Sequence, residues 1–166
     1  MVSSILKAIK ILEALSGNES LGVTELSNRL GFPKSSVHSI LETLESESLL
    51  EKKVETGKYH LGLKLVEFGN RAQVNLDICK IAHPYLKELN RLTDETVHLT
   101  VLDNDEVLYV DCIESKQWLR TYSVIGVRAP LYCTAVGKAI MANLDYNHVK
   151  RIIKENGLPR ITENTI

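Results

Sequence analysis

The 166 residues predict an α+β chain in two parts, a winged helix-turn-helix followed by a mixed α+β domain. Three observations carry this. Before residue 50, three short stretches repeat apolar residues at helical spacing, with a glycine turn between the second and the third. A hairpin pattern bearing lysines follows them. Past a polar break at residues 73–75, helical and strand periods alternate around Asp103-Asn104-Asp105, which is strong turn chemistry.

The first helix is expected from Ile5, Ala8, Ile9, Leu12 and Leu15, which share one face at spacings of three and four. Ser3 or Ser4 is its expected N-cap, and Gly17 and Asn18 its stop. Thr24 is the expected cap of a second helix that turns Val23, Leu26 and Leu30 inward. Gly31 suits the left-handed position after a helix end, because it has no Cβ to clash. Pro33 suits the first turn of a third helix, where its missing N–H costs nothing. Val37, Ile40, Leu41 and Leu44 give that helix a clean apolar stripe. Residues 49–54 and 58–61 flank Glu55-Thr56-Gly57 as a hairpin, and residues 63–72 read as a further helix.

In the second half, residues 76–92 read as a helix with Ile78, Ala82, Tyr85, Leu89 and Leu92 inward, kinked or split at Pro84. Residues 96–102 and 106–113 read as strands, residues 118–125 as a third strand, and residues 126–134 as a loop. A helix over residues 135–143 follows, then one capped by Asp145 and ended by Gly157. The expected division is residues 1–62 for the winged helix-turn-helix, 63–75 for a linker helix and 76–166 for the second domain.

Composition narrows the function classes. The formal net charge of −1 points to neither nucleic acid nor membrane at the scale of the whole chain. Three cysteines without a CxxC spacing argue against a disulfide framework and fit a reducing cytoplasm. No apolar run approaches the roughly 18–20 residues of a membrane span, and the N-terminus lacks a signal-peptide pattern.

The third helix carries the chemistry. Opposite its apolar stripe it is small and polar, so it can enter a DNA major groove about 12 Å wide. Ser35 and Ser36 can donate to phosphates, as can the N–H groups at the helix start, and Lys34 adds a charge there. His38 and Ser39 are placed to reach base edges. Lys52, Lys53 and Lys58 on the hairpin can hold flanking phosphates or a minor groove. Residues 1–60 hold seven Lys/Arg against eight Glu, so distribution matters more than sum. Glu42, Glu45 and Glu47 are expected at the far end of the helix, away from this face. The alternative is an ordinary solvated helix face.

Further along, Cys133-Thr134-Ala135-Val136-Gly137 reads as a loop feeding a helix, whose first N–H groups, at Ala135 and Val136, form an anion site. Gly137 lets a ligand or a neighbouring backbone come close. Ala129 and Pro130 give an apolar wall, with Trp118 or Thr121 closing another side. The alternative is a strand-to-helix turn packed in a core. A P-loop reading of Gly137-Lys138 fails, because Tyr132 stands where the first glycine is needed and Ala139 where Ser or Thr would hold Mg²⁺. Cys133 has no His brought to it by sequence, so catalysis is not expected. Cys79 and His83, with His98 or Cys112, make only a minor zinc candidate against a half-buried helical pair. No cofactor is expected.

Several motifs in order resemble one family. Val23-Thr24-Glu25-Leu26 with Gly31-Phe32-Pro33-Lys34-Ser35-Ser36-Val37-His38 resembles the winged helix of IclR-type bacterial transcription regulators. Tyr59-His60-Leu61-Gly62 resembles its wing exit. Ala82-His83-Pro84-Tyr85-Leu86 and Thr93-Asp94-Glu95-Thr96-Val97-His98-Leu99 resemble the start of its effector domain. Gly126-Val127-Arg128-Ala129-Pro130-Leu131, with Cys133-Thr134-Ala135-Val136-Gly137-Lys138-Ala139, resembles its most specific motif. The resemblance implies a GAF-like second domain that binds a small carboxylate metabolite, and a homodimer or tetramer on double-stranded operator DNA. It implies a cytoplasmic repressor of a catabolic operon, with Thr24 among the DNA-contacting residues and Thr134 among those at the effector. Ser39 departs from the arginine that the family often has there, so the operator should be read differently at that position. The resemblance also implies that about a third of a family chain would follow Ile166. The expectation is a fragment or a truncation, with an open sheet edge, poor effector response and a tendency to associate.

Overall fold

A computed structural model describes residues 3–17, 19–118 and 124–164. Backbone contacts divide the chain into two units, Met1–Ala72 and Gln73–Ile166.

In the first unit the element order is α1 (Ser3–Leu15), α2 (Val23–Leu30), α3 (Lys34–Ser46), β1 (Leu50–Lys52), β2 (Tyr59–Leu61) and α4 (Lys64–Val74), whose end at Gln73 and Val74 falls in the second unit. Ile11, Leu15, Leu26, Val37, Leu41, Leu50 and Tyr59 are buried together as its core. The turn from α2 to α3 works as the sequence implies. Gly31 takes φ 68°, its N–H bonds to the Ser27 carbonyl, and the Ser27 hydroxyl donates to the Phe32 carbonyl at 2.6 Å. β1 and β2 pair antiparallel in the register Leu50↔Leu61. Leu21 joins them as a single bridge residue, exchanging two backbone hydrogen bonds of 3.0 and 2.9 Å with Tyr59. Gly62 closes the wing. A Cβ there would stand 2.4 Å from the Ser48 carbonyl oxygen, and the Gly62 N–H donates to Leu49 at 2.9 Å.

Several local expectations change. α1 buries Ile11, Ala14 and Leu15, and leaves Ile5 and Ile9 exposed. Ser3 and Ser4 lie within α1, and Asn18 lies outside the described residues. Thr24 sits inside α2. The cap is Gly22, whose N–H donates to Glu25 Oε2 at 2.7 Å. Pro33 is the residue before α3, with ψ 137°, and not its first turn.

In the second unit the order is α5 (Asp77–Thr93), β3 (Val97–Asp103), β4 (Glu106–Ile113), β5 (Arg128–Pro130), α6 (Ala135–Met141) and α7 (Tyr146–Asn156). The three strands form an antiparallel sheet in the order β3-β4-β5. Asn104 and Asp105 both take positive φ, which is what a two-residue hairpin turn requires. α5 packs on β3 and β4. Val107, Leu131 and Ile152 are buried in a separate cluster with Leu102, Ala129, Val136 and Ile140, which joins the sheet to α6 and α7. Asp145 caps α7 by accepting from Asn147 N at 2.8 Å, and Gly157 ends it at φ 67°.

Here too the structure corrects the sequence. The third strand is β5, inside the stretch read as a loop, and most of residues 118–125 lies outside the described residues. α5 runs through Pro84 as one helix. It buries Cys79 and Leu86, while Ile78, Tyr85, Leu89 and Leu92 are exposed. α5 carries two apolar stripes, and the one chosen from spacing faces outward. α6 ends at Met141, short of residue 143.

Gly62→Ala is expected to lower stability by about 1–3 kcal/mol through overpacking, read as an earlier urea midpoint. An unchanged midpoint would show that the Ser48–Leu49 backbone can move aside.

Candidate functional site

The outward face of α3 is built by its inward one. Val37, Leu41 and Leu44 are buried, so Ser35, His38 and Ser39 point away from the core, and Lys34 is exposed at the helix start. No side chain caps α3, so its first N–H groups remain available to an anion. Ser36 is half-buried on the flank toward α1, where its hydroxyl receives Lys7 Nζ at 3.4 Å. Lys7 also lies 5.6 Å above the Phe32 ring. The structure thus adds Lys7 to the group at the helix start. Sequence reading missed it because only the docking of α1 on α3 brings it there.

Two further findings revise the face. His38 Nδ1 lies 3.1 Å from Glu42 Oε2, so Glu42 stands beside His38 and not away from it. Glu47 is bound to Lys64 at 3.2 Å. On the hairpin, Lys52 is exposed with its Nζ 5.4 Å from the Tyr59 ring, and Lys53 is exposed at the turn. Lys58 is held elsewhere: its Nζ bonds to Glu25 Oε1 at 2.7 Å. That bond, with the one from the Gly22 N–H, holds the Glu25 carboxyl below its usual range. Lys58 therefore ties the wing to α2. Thr24 is exposed on the first turn of α2.

In the second unit, Thr134 caps α6. Its Oγ1 accepts from Gly137 N at 3.0 Å and donates to the Pro130 carbonyl at 3.3 Å. Ala135 is exposed and Val136 packs in the buried cluster with Ala129. Of the two roles open to Gly137, the structure shows the backbone one: a Cβ there would meet Leu131 O at 2.2 Å. Trp118 is fully exposed, so its side chain forms no wall within this chain. Thr121 lies outside the described residues. Burial, and secondarily Asp111, pushes the Cys79 thiol up, the wrong direction for a nucleophile. His83 bonds to Asp111 at 3.0 Å. Among the described residues no group of three or more His, Cys, Asp or Glu is placed to hold a metal.

A recognition-type helix with a polar outer face, backed by a glycine turn and followed by a wing, defines a winged helix-turn-helix protein with an α+β partner domain. Comparison with known proteins places it further. Residues 4–53 match the IclR helix-turn-helix domain, and residues 70–166 match the bacterial transcriptional regulator IclR C-terminal domain. The chain belongs to the IclR family of bacterial transcriptional regulators, which are not enzymes. It is 44% identical to the HTH-type transcriptional regulator KdgR of Escherichia coli over 99% of this chain and 63% of that protein. It is 28% identical to the acetate operon repressor of Salmonella typhimurium over 99% of this chain and 61% of that one. The crystal structure of an IclR-type regulator from Alicyclobacillus acidocaldarius superposes with a TM-score of 0.84 at 29% identity, covering 100% of this chain and 68% of that one. The chain thus spans less than two thirds of the length of the two curated relatives.

The Glu25–Lys58 pair has a pH signature. A carboxyl whose folded pKa is depressed stabilises the fold above its ordinary value, 4.5, and loses that contribution as pH falls through the lower folded value. Lys58→Met should therefore be less stable than the parent at pH 7, and the gap should narrow as pH falls below 4.5. Urea midpoints of both chains at pH 7 and pH 3 check this. An equal gap at both would show that the loss does not come from the ion pair with Glu25.

Proposed function

We propose that this chain binds double-stranded operator DNA through α3 and acts as the repressor of a catabolic operon, released or held by a small organic-acid effector. The observation that carries this reading is the outward face of α3, where Lys34, Ser35, His38 and Ser39 stand exposed at an uncapped helix start. Such a helix start suits phosphate, and the small polar residues after it allow close approach to base edges. Lys52 and Lys53 on the wing extend the footprint. Membership in the IclR family and the Salmonella relative's name support the operon and repressor parts. The working division is 1–62 for DNA, 63–75 as linker and 76–166 for the effector.

The effector is read as a carboxylate at the start of α6, beside Thr134, Ala135 and Val136, because first-turn N–H groups and the helix dipole favour an anion. One such DNA-binding domain makes few phosphate contacts, so the reading requires a homodimer or tetramer on two half-sites. The place of action is the cytoplasm, where operator DNA lies. No helix among the described residues is long and apolar enough to cross a membrane.

Lys34→Ala should weaken binding to all duplexes alike and reduce the slope of log affinity against log salt by about 1. Fluorescence anisotropy over a salt series measures both. An unchanged slope would remove Lys34 from the phosphate contacts. For the effector, acetate, pyruvate and gluconate tested one by one in thermal unfolding are the probe. A bound acid at a hundred times its Kd stabilises by about 2.7 kcal/mol. No shift with any of the three at high millimolar concentration would count against a carboxylate of this class.

A further inference from the structure

The acid on α3 has no place in a face built only to meet phosphates. Ser35, Ser39, Glu42 and Ser46 fall at spacings of four, three and four, so they form one line along the helix. All four are exposed, and they lie opposite the buried Val37, Leu41 and Leu44. Of the other acids near the helix end, Glu47 is neutralised by Lys64 and Glu45 is half-buried off this line. Glu42 alone puts a carboxylate on the line, with its side chain 61% exposed and one oxygen 3.1 Å from His38 Nδ1.

We propose that Glu42 is a base-reading residue that selects cytosine, with His38 as its positioning residue. The inference rests on the reading of α3 as the helix that enters the major groove. A carboxylate carried into a groove loses its water and meets phosphates of like charge, so it must find a donor there. The major-groove edges supply few. Guanine offers two acceptors and thymine an acceptor and a methyl group. Adenine sets its amine beside the N7 acceptor, which repels a second carboxylate oxygen. Cytosine offers only the N4 amine, so it is the base that an ionised acid matches. His38 does two things for this contact. Its Nδ1 lies against Oε2, which leaves Oε1 to meet the amine, and the contact favours the Glu42 rotamer that stands on the line. The Thr43 hydroxyl is used within the helix, donating to the Ser39 carbonyl at 2.9 Å.

The test is selection from a pool of random duplexes by the full chain and by Glu42→Gln, His38→Ala and Glu45→Gln. The parent should enrich a site in which one C·G pair, replaced, loses about tenfold or more in affinity, the scale of one good base contact. In Glu42→Gln the preference at that pair should move toward A·T, because an amide matches adenine N6 and N7, while the salt slope stays as in the parent. His38→Ala should keep the preference for cytosine but reduce it severalfold. Glu45→Gln should enrich the parent's site. A Glu42→Gln chain that binds every duplex more tightly with an unchanged preference would overturn the proposal and leave Glu42 as a repelling charge. A parent that enriches no sequence at all would overturn the operator reading along with it.

Discussion

The structure of the first unit depends on one helix being held from one side. Val37, Leu41 and Leu44 lock α3 onto α1 and α2, where Ile11, Leu15 and Leu26 meet them. Burying side chains of this size stabilises by about 1.5–3 kcal/mol each, enough to fix the rotation of a 13-residue helix about its axis. With 3.6 residues per turn, fixing the inner face fixes the outer one. Ser35, His38, Ser39 and Glu42 therefore hold their directions before any ligand arrives. A recognition surface of this kind needs no loop to order, because its geometry is set by the core.

The wing is fixed by a second, mostly backbone, set of contacts. Leu21 and Tyr59 exchange two hydrogen bonds, which turns the β1–β2 hairpin into an extension of the segment leading to α2. Tyr59 is buried below it, and Gly62 lets the hairpin exit pass against Ser48 without a Cβ in the way. Glu25 then does double service at the start of α2, accepting from Gly22 on its own chain turn and from Lys58 on the wing. The distance between wing and α3 is set by these contacts, which lie outside the face that would touch DNA.

The sequence showed the parts that depend on period and local turns. The stripe of α3, the left-handed Gly31, the Asp103-Asn104-Asp105 turn and the Asp145 cap of α7 are all properties of a few neighbouring residues. What it hid depends on residues far apart. α1 and α5 each carry more apolar residues than one face can hold, so spacing alone chose Ile5, Ile9, Tyr85 and Leu92, which the fold leaves outside. β5 is three residues long and lacks a strand period of its own; pairing with β4 defines it. The partners of the site residues were equally hidden. Lys58 reads as a phosphate ligand in the sequence, yet its Nζ lies 2.7 Å from Glu25, and only the docking of α1 brings Lys7 beside Ser36.

The same pairings explain why net charge is a poor guide to this unit. Charges farther apart than about 8–10 Å are largely screened at ordinary salt, so what matters is which charges stand alone within that range. Lys58 neutralises Glu25, Lys64 neutralises Glu47, and His38 and His60 lie beside Glu42 and Glu51 at 3.1 and 3.5 Å. Among the described residues Lys34, Lys52 and Lys53 form no ion pair, and they sit at the start of α3 and on the wing. Pairing with lysine takes Glu25 and Glu47 out of play and leaves these three bases untouched. A stretch with more glutamates than lysines and arginines thereby still offers unpaired lysines at the start of α3 and on the wing.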